Sequence, residues 1–349
     1  MNHCPTQDNT RKHGLRQATA ILFIALATQI HATVRTVSNY TNHPAQYTSL
    51  QTAINEAGAG DTILVTGSNT SYGTINVNKH VVIIGAGHNN GNQPTQTSTI
   101  TLSSGCSNAR LHGLLISSIT FGQGAATSGI VIERCRITLG LSQGSAGMDG
   151  LTIRNCIISA SGGGLAISPG SNNVRIENNI IFGTTAFNSN NATNLIIAHN
   201  LFLNSGQSAA LNSINSAIIS DNIFWGRTPV DATVNYCTFN NNITYQTANN
   251  TIPFGTNVGA NNQVGVAPVF LNAPTQALVL TYDYRVQAGS SGDNAGSDGT
   301  DIGVGGGAYP LESMTGRARI PLVTTLNILN SSIGQGGSLN VQVSGTKVD

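Results

Sequence analysis

The stretch that decides the fold is Ile-Glu-Arg-Cys-Arg-Ile (132–137), which returns as Ile-Arg-Asn-Cys-Ile-Ile (153–158) and Ile-Glu-Asn-Asn-Ile-Ile (176–181). Three further copies follow: Ile-Ala-His-Asn-Leu-Phe (197–202), Ile-Ser-Asp-Asn-Ile-Phe (219–224) and Phe-Asn-Asn-Asn-Ile-Thr (239–244). The fourth position is Cys135, Cys156, Asn179, Asn200, Asn222 and Asn242, so successive spacings are 21, 23, 21, 22 and 20 residues. A near-constant period of this size predicts a solenoid, in which each repeat covers the open edge of its neighbour.

Within each unit the pattern has period 2, as in a strand with alternating faces. Three and five residues before the Cys/Asn position stand Ile132/Ile130, Ile153/Leu151, Ile176/Val174, Ile197/Leu195, Ile219/Ala217 and Phe239/Cys237, which predicts inward rows. Two residues before it stand Glu133, Arg154, Glu177, Ala198, Ser220 and Asn240, an outward row. Two residues after it come Ile137, Ile158, Ile181, Phe202, Phe224 and Thr244, inward again beyond a corner. A coil of this length is too short for a strand, a helix and two connections. It suits short strands joined by Gly/Asn/Ser turns and stacked as parallel coils about 4.8 Å apart. Stacked amides of Asn179, Asn200, Asn222 and Asn242 then hydrogen-bond along the corner.

Composition agrees. The 349 residues include 40 Gly, 8% charged and 5% aromatic side chains, which suits an elongated β-solenoid. A net charge of +1 gives no reason to expect nucleic acid or an anionic membrane surface as partner. Arg11, Lys12 and Arg16, the apolar run 18–27 and Ile30-His31-Ala32 read as a secretory signal over 1–32, too short to span a bilayer stably. The remaining Cys106, Cys135, Cys156 and Cys237 fall mostly on inward or corner positions and are expected as buried thiols, a 135–156 bridge being the alternative.

Ahead of the repeats, Leu50, Ala53, Ile54 and Ala57 form a helical stripe, with Thr48 and Gln51 as a capping box and Gly58 as the stop. Such a helix would plug the end of a solenoid. After it come Gly-Asp-Thr-Ile-Leu-Val (60–65), Ser71-Tyr72-Gly73 and Val-Ile-Ile-Gly-Ala-Gly (82–87). Near the other end stand Pro268-Val269-Phe270, Asp283-Tyr284-Arg285-Val286 and Gly296-Ser297-Asp298-Gly299-Thr300-Asp301-Ile302-Gly303. These segments resemble the entry and exit of right-handed parallel β-helix proteins of the pectin-lyase-like superfamily, over roughly residues 45–310. The expected fold is therefore all-β: a right-handed parallel β-helix of about nine or ten coils over 33–310. It carries an N-terminal helical cap, and a small β-hairpin-like appendage or surface-attachment stub follows over 311–349.

The resemblance also implies where a ligand would lie, since catalytic β-helices of that superfamily carry the sugar chain across the outer face of one sheet. The equivalent row here holds Glu133, Arg154 and Glu177, with Arg134, Arg136 and Arg175 beside them and His199 and Asp221 on later coils. Glu133, Arg134, Arg154, Arg175, Glu177 and His199 are the candidate substrate-binding residues; Arg154, Arg175 and Glu177 are the candidate catalytic ones. A lyase needs a base and a cation to stabilise developing charge, whereas the same residues read structurally are a cross-strand charge ladder. Asp293, Asp298 and Asp301, with Asn294, are the densest acidic group and the candidate Ca²⁺ ligands, although no cofactor is otherwise expected. Three functions fit this sequence: a secreted or cell-surface protein, expected monomeric, that binds polysaccharide or cell-surface glycan; a polysaccharide lyase or related enzyme acting on an acidic glycan; and a structural or adhesive element.

Overall fold

The structure is a computed structural model that describes residues 1, 32–89, 91, 93–122, 127–142, 144, 146–159, 164–183, 187–189, 191–203, 209–330 and 332–347. The expected export signal over 1–32 lies almost wholly outside them. From Thr33 onward the chain forms one compact unit.

The repeat folds as its period demands, into a parallel β-solenoid of about nine turns. One long sheet, the front sheet, has ten parallel strands from Val34–Val37 through Val131–Glu133, Thr152–Arg154, Arg175–Glu177, Ile196–Ala198 and Ile218–Ser220 to Thr238–Asn240. Its register stacks Ile132, Ile153, Ile176, Ile197, Ile219 and Phe239 directly over one another. All six are fully buried. Beyond the corner a back sheet stacks Ile137, Ile158, Ile181, Phe202, Phe224 and Thr244. Phe202 and Phe224 lie face to face at 4.8 Å between ring centroids.

At the corner, each side-chain amide Nδ2 donates 3.0 Å to the Oδ1 of the next coil's asparagine, from Asn179 through Asn200, Asn222 and Asn242 to Asn262. The same Oδ1 atoms accept the backbone N–H of the preceding coil at 2.9–3.1 Å. These four corner amides, taken out of the sheets by the tight bend, are thus satisfied from the side. Cys135 and Cys156 continue the column as free buried thiols, each with two carbonyl oxygens within 3.3–3.6 Å as acceptors for its one S–H. Cys106 and Cys237 are also free and buried.

The helix Leu50–Glu56 caps the first coil, burying Leu50, Ala53 and Ile54. Its N-cap is Ser49, whose Oγ accepts from Thr52 N, and not the expected Thr48–Gln51 box. Gln51 turns sideways instead: its side chain bonds Asn76 N at 2.7 Å and Asn76 O at 3.2 Å, tying cap to coil. Ala57, not Gly58, closes the helix.

The last parallel strand is Gln263–Val264. Phe270–Asn272 and Asp283–Val286 then pair antiparallel, and the chain doubles back along the solenoid. This returning segment covers the outer side of the back sheet, where Ile180, Leu201, Ile223 and Ile243 pack with Phe270, Tyr284, Ile302, Val304 and Leu311 in a second core. A hairpin of Pro321–Ile328 and Val341–Lys347 follows.

Candidate functional site

One residue before each Cys/Asn corner position the backbone is left-handed: φ is 53° at Arg134, 51° at Asn155, 54° at Asn178, 54° at His199, 60° at Asp221 and 54° at Asn241. Asn and Asp tolerate this conformation best, and the bend fixes where each side chain leaves the coil. The row meets the returning segment, which runs down it like a strap. Asn241 donates to Ala295 O at 2.9 Å, and Asp221 accepts from Ser297 N and Oγ, both at 2.7 Å. Asn178 donates to Val304 O and Gly306 O, Asn155 to Tyr309 O at 2.8 Å, and Arg134 to Arg317 O. As residue numbers rise along the strap, coil numbers fall.

Strap and front sheet do not touch everywhere. Between them lies a cleft of about 560 Å³, lined by Thr152, Arg154, Arg175, Glu177, Asn178, Ile196, Ala198, His199, Ser220 and Asp221 from the coils and by Ser297, Asp298 and residues 307–309 from the strap. Arg154, Arg175, Glu177 and His199 are thereby brought together, as the repeat alignment anticipates. The outward row is half-buried, and Ala198 buried, because the strap crosses it.

Glu133 and Arg134 do not line this cleft. Arg134 is 3% exposed, pressed under the strap with its Nη2 3.7 Å from Glu312. Glu133 receives Arg154 Nη2 at 2.8 Å and has His112 Nδ1 at 3.7 Å. Arg154 also lies 3.8 Å over the ring of Tyr309, a cation–π contact. Burial opposes the charge of Arg154, yet its hydrogen bond to Glu133 raises its pKa above the ordinary arginine value. Burial lowers Arg134 and Arg136, which are outside the cleft. Arg175 is the accessible guanidinium, its side chain 53% exposed and 2.9 Å from Glu177.

His199 Nε2 sits 3.7 Å from Asp221 Oδ2 and 3.5 Å from Asp298 Oδ2. Burial works against the Asp298 carboxylate, but hydrogen bonds from Thr300 and the nearby His199 hold its pKa below the usual range. The strap residues Ser297 and Tyr309 were not singled out by sequence reasoning. Nothing local marks them, since Ser297 meets Asp221 across 76 residues and Tyr309 meets Asn155 across 154 residues.

The proposed Ca²⁺ ligands do not converge. Asp293 accepts from Gly289 N, Asp301 from Asn294 N and Asp298 from Thr300, each serving its own turn. Among the described residues no group of three or more His, Cys, Asp or Glu is placed to hold a metal ion. No helix among them is long and apolar enough to cross a membrane.

The parallel coil that the resemblance implied is present in the strand pairing itself. No protein-family profile matches this sequence, and no curated protein matches it. Among solved structures, the crystal structure of pectate lyase Pel9A is similar at 14% identity over 83% of this chain and 98% of that one, with a TM-score of 0.41.

Proposed function

We propose that this chain is an extracellular β-helix that binds polysaccharide in the cleft between front sheet and strap, without cleaving it. What carries the reading is the cleft: it is elongated by construction, open, and lined by fixed polar groups beside an aromatic ring. Arg175, Glu177, Ser220 and Asp298 offer donors and acceptors at the wall, and Tyr309 is 41% exposed beside them.

Two features speak against elimination chemistry. A guanidine acts as base only when its proton is weakly held. In the cleft Arg154 holds its proton more tightly than usual, while the arginines with lowered pKa lie elsewhere. The lining also carries two guanidiniums, Arg154 and Arg175, against three carboxylates, Glu177, Asp221 and Asp298. Three carboxylates against two guanidiniums give a polyuronate no net attraction and suit a neutral sugar chain.

Affinity gel electrophoresis against soluble neutral and acidic polysaccharides tests this, run beside an absorbance assay for unsaturated uronate ends with added Ca²⁺. Retention by a neutral glycan, weakened several-fold by Arg175→Ala, is expected without product absorbance. Release of unsaturated products would overturn the reading in favour of a lyase.

A further inference from the structure

A second column of left-handed residues runs along the turn that precedes the front sheet: Asn173, Asn194, Ser216 and Tyr236, with φ of 54°, 49°, 56° and 55°. The strand register places them over one another, each two residues ahead of Arg175, Ile196, Ile218 and Thr238. Asn suits such a bend, whereas a bulky aromatic there is an outlier that costs stability. Tyr236 gains nothing visible in exchange. The residue is 67% exposed, and among the described residues its ring stacks on no other aromatic and its hydroxyl makes no hydrogen bond. Strain retained without a packing return marks a side chain kept for what it contacts outside the fold.

Beside it, on the preceding coils, lies an open groove of about 370 Å³ lined by Asn191, Ala192, Thr193, Asn194, Asn215 and Ser216. The Asn194 amide and the Thr193 hydroxyl are held in place. Asn194 Nδ2 donates to Asn172 Oδ1 at 2.9 Å and to Asn173 Oδ1 at 3.2 Å, which leaves its own Oδ1 as an acceptor. The Thr193 hydroxyl donates to Asn172 Oδ1 at 2.8 Å and keeps its lone pairs. No lining residue is charged. An aromatic face beside oriented amides and hydroxyls is the chemistry that takes the C–H face and the hydroxyl rim of a sugar ring. Exposed Ile218 and Val258 extend the apolar surface on the adjoining coils.

We infer that this groove and Tyr236 form a second binding site, separate from the cleft, for a neutral polysaccharide segment. Tyr236 is the stacking platform, and Asn194, Asn215 and Thr193 exchange hydrogen bonds with ring hydroxyls. The site rests on its own residues and does not require the cleft reading.

The test uses Tyr236→Asn, which installs the residue type that the column prefers. Affinity electrophoresis in gels containing hydroxyethylcellulose, xyloglucan, galactomannan or polygalacturonate is run on the full chain, with Tyr236→Phe and Arg175→Ala alongside. Expected is at least a five-fold loss of retention on a neutral glycan for Tyr236→Asn, near-normal retention for Tyr236→Phe, and a thermal midpoint for Tyr236→Asn at or above the parent's. Parent-like retention of Tyr236→Asn on every neutral probe overturns the site. So does a drop of several degrees in its midpoint, since the ring would then be structural. Loss of retention confined to Arg175→Ala upholds the cleft and overturns this second site; loss confined to Tyr236→Asn does the reverse. Retention of the parent by no neutral probe overturns both.

Discussion

Replacing Asn200 by alanine removes five hydrogen bonds from the middle of the corner column. Nδ2 donates to Ile176 O at 2.7 Å, to Ala198 O at 3.0 Å and to Asn222 Oδ1 at 3.0 Å. Oδ1 accepts Asn179 N at 2.9 Å and Asn179 Nδ2 at 3.0 Å. Some partners keep a second contact: Asn222 Oδ1 still receives Asn200 N, Ala198 O receives Asn178 N, and Asn179 Nδ2 still reaches Ile153 O. Asn179 N–H loses its partner and Ile176 O loses a donor, in a site with no solvent access. At about 1–3 kcal/mol for each buried group left unpaired, plus the small cavity, the cost is about 3–6 kcal/mol. Asn262 supplies the control, because it ends the column and is only half-buried, so water can replace its amide. Asn262→Ala should cost about 1 kcal/mol. Asn200→Cys should fall between, since the thiols of Cys135 and Cys156 already serve this column as donors to carbonyls. Urea unfolding followed by circular dichroism measures all three. If Asn200→Ala and Asn262→Ala lie within about 1 kcal/mol of each other, the column is not bearing the corner as described.

Acid and the strap provide two more tests. His88 is buried with Nδ1 unpartnered, and burial with Arg136 nearby lowers its pKa to about 3 from 6.5. Only the unfolded chain takes up that proton as pH falls from 6.5 toward 3, so stability should drop by about 1.4 kcal/mol per pH unit, or about 2–3 kcal/mol by pH 4.5. Denaturation midpoints between pH 7 and 4.5 should show the slope, and His88→Gln should flatten it; an equal slope in both proteins refutes the assignment. A Cβ on Gly316, at φ +69°, would run into the His88 ring and stand 2.8 Å from Arg134 O, whereas Gly299, at φ +80°, faces open space. Gly316→Ala should therefore cost about 2–5 kcal/mol and expose the strap to proteolysis, against about 1–2 kcal/mol for Gly299→Ala. Equal melting temperatures for the two variants would show that the strap does not depend on this close approach.

What could be read from the sequence divides by range. The coil was legible because each of its rows is local: alternation around Ile132-Glu133-Arg134-Cys135 and its copies gives every residue a side, and the period gives it a neighbour. The cleft residues Arg154, Arg175, Glu177 and His199 were legible for the same reason. The helix cap was missed by a single residue, because Thr48 and Ser49 are both competent caps and only the fit of Gln51 against Asn76 decides between them. Arg134 was misplaced more seriously: its outward charge pattern is local, but its burial is caused by Glu312 and Arg317, nearly 180 residues away. The proposed Ca²⁺ group failed likewise, since proximity in sequence does not make carboxylates converge when each is drawn to its own turn.

One signal of the strap was nevertheless present in the repeat. A two-faced sheet buried on one side should show polar residues one position past the corner. There the chain has Arg136, then Ile157, Ile180, Leu201, Ile223 and Ile243, then Gln263. Five successive apolar residues on an outward column cannot face water without cost, about 1.5–3 kcal/mol for each side chain left uncovered. They require a cover. Ile180, Leu201, Ile223 and Ile243 all lie within the second core against the returning chain. The outward apolar column thus marks coils over which the returning chain packs its own apolar side chains. On earlier coils the outer back-sheet face instead shows Thr99, Thr101, Ser118 and Thr120, whose hydroxyls pair with one another at 2.9 and 3.2 Å.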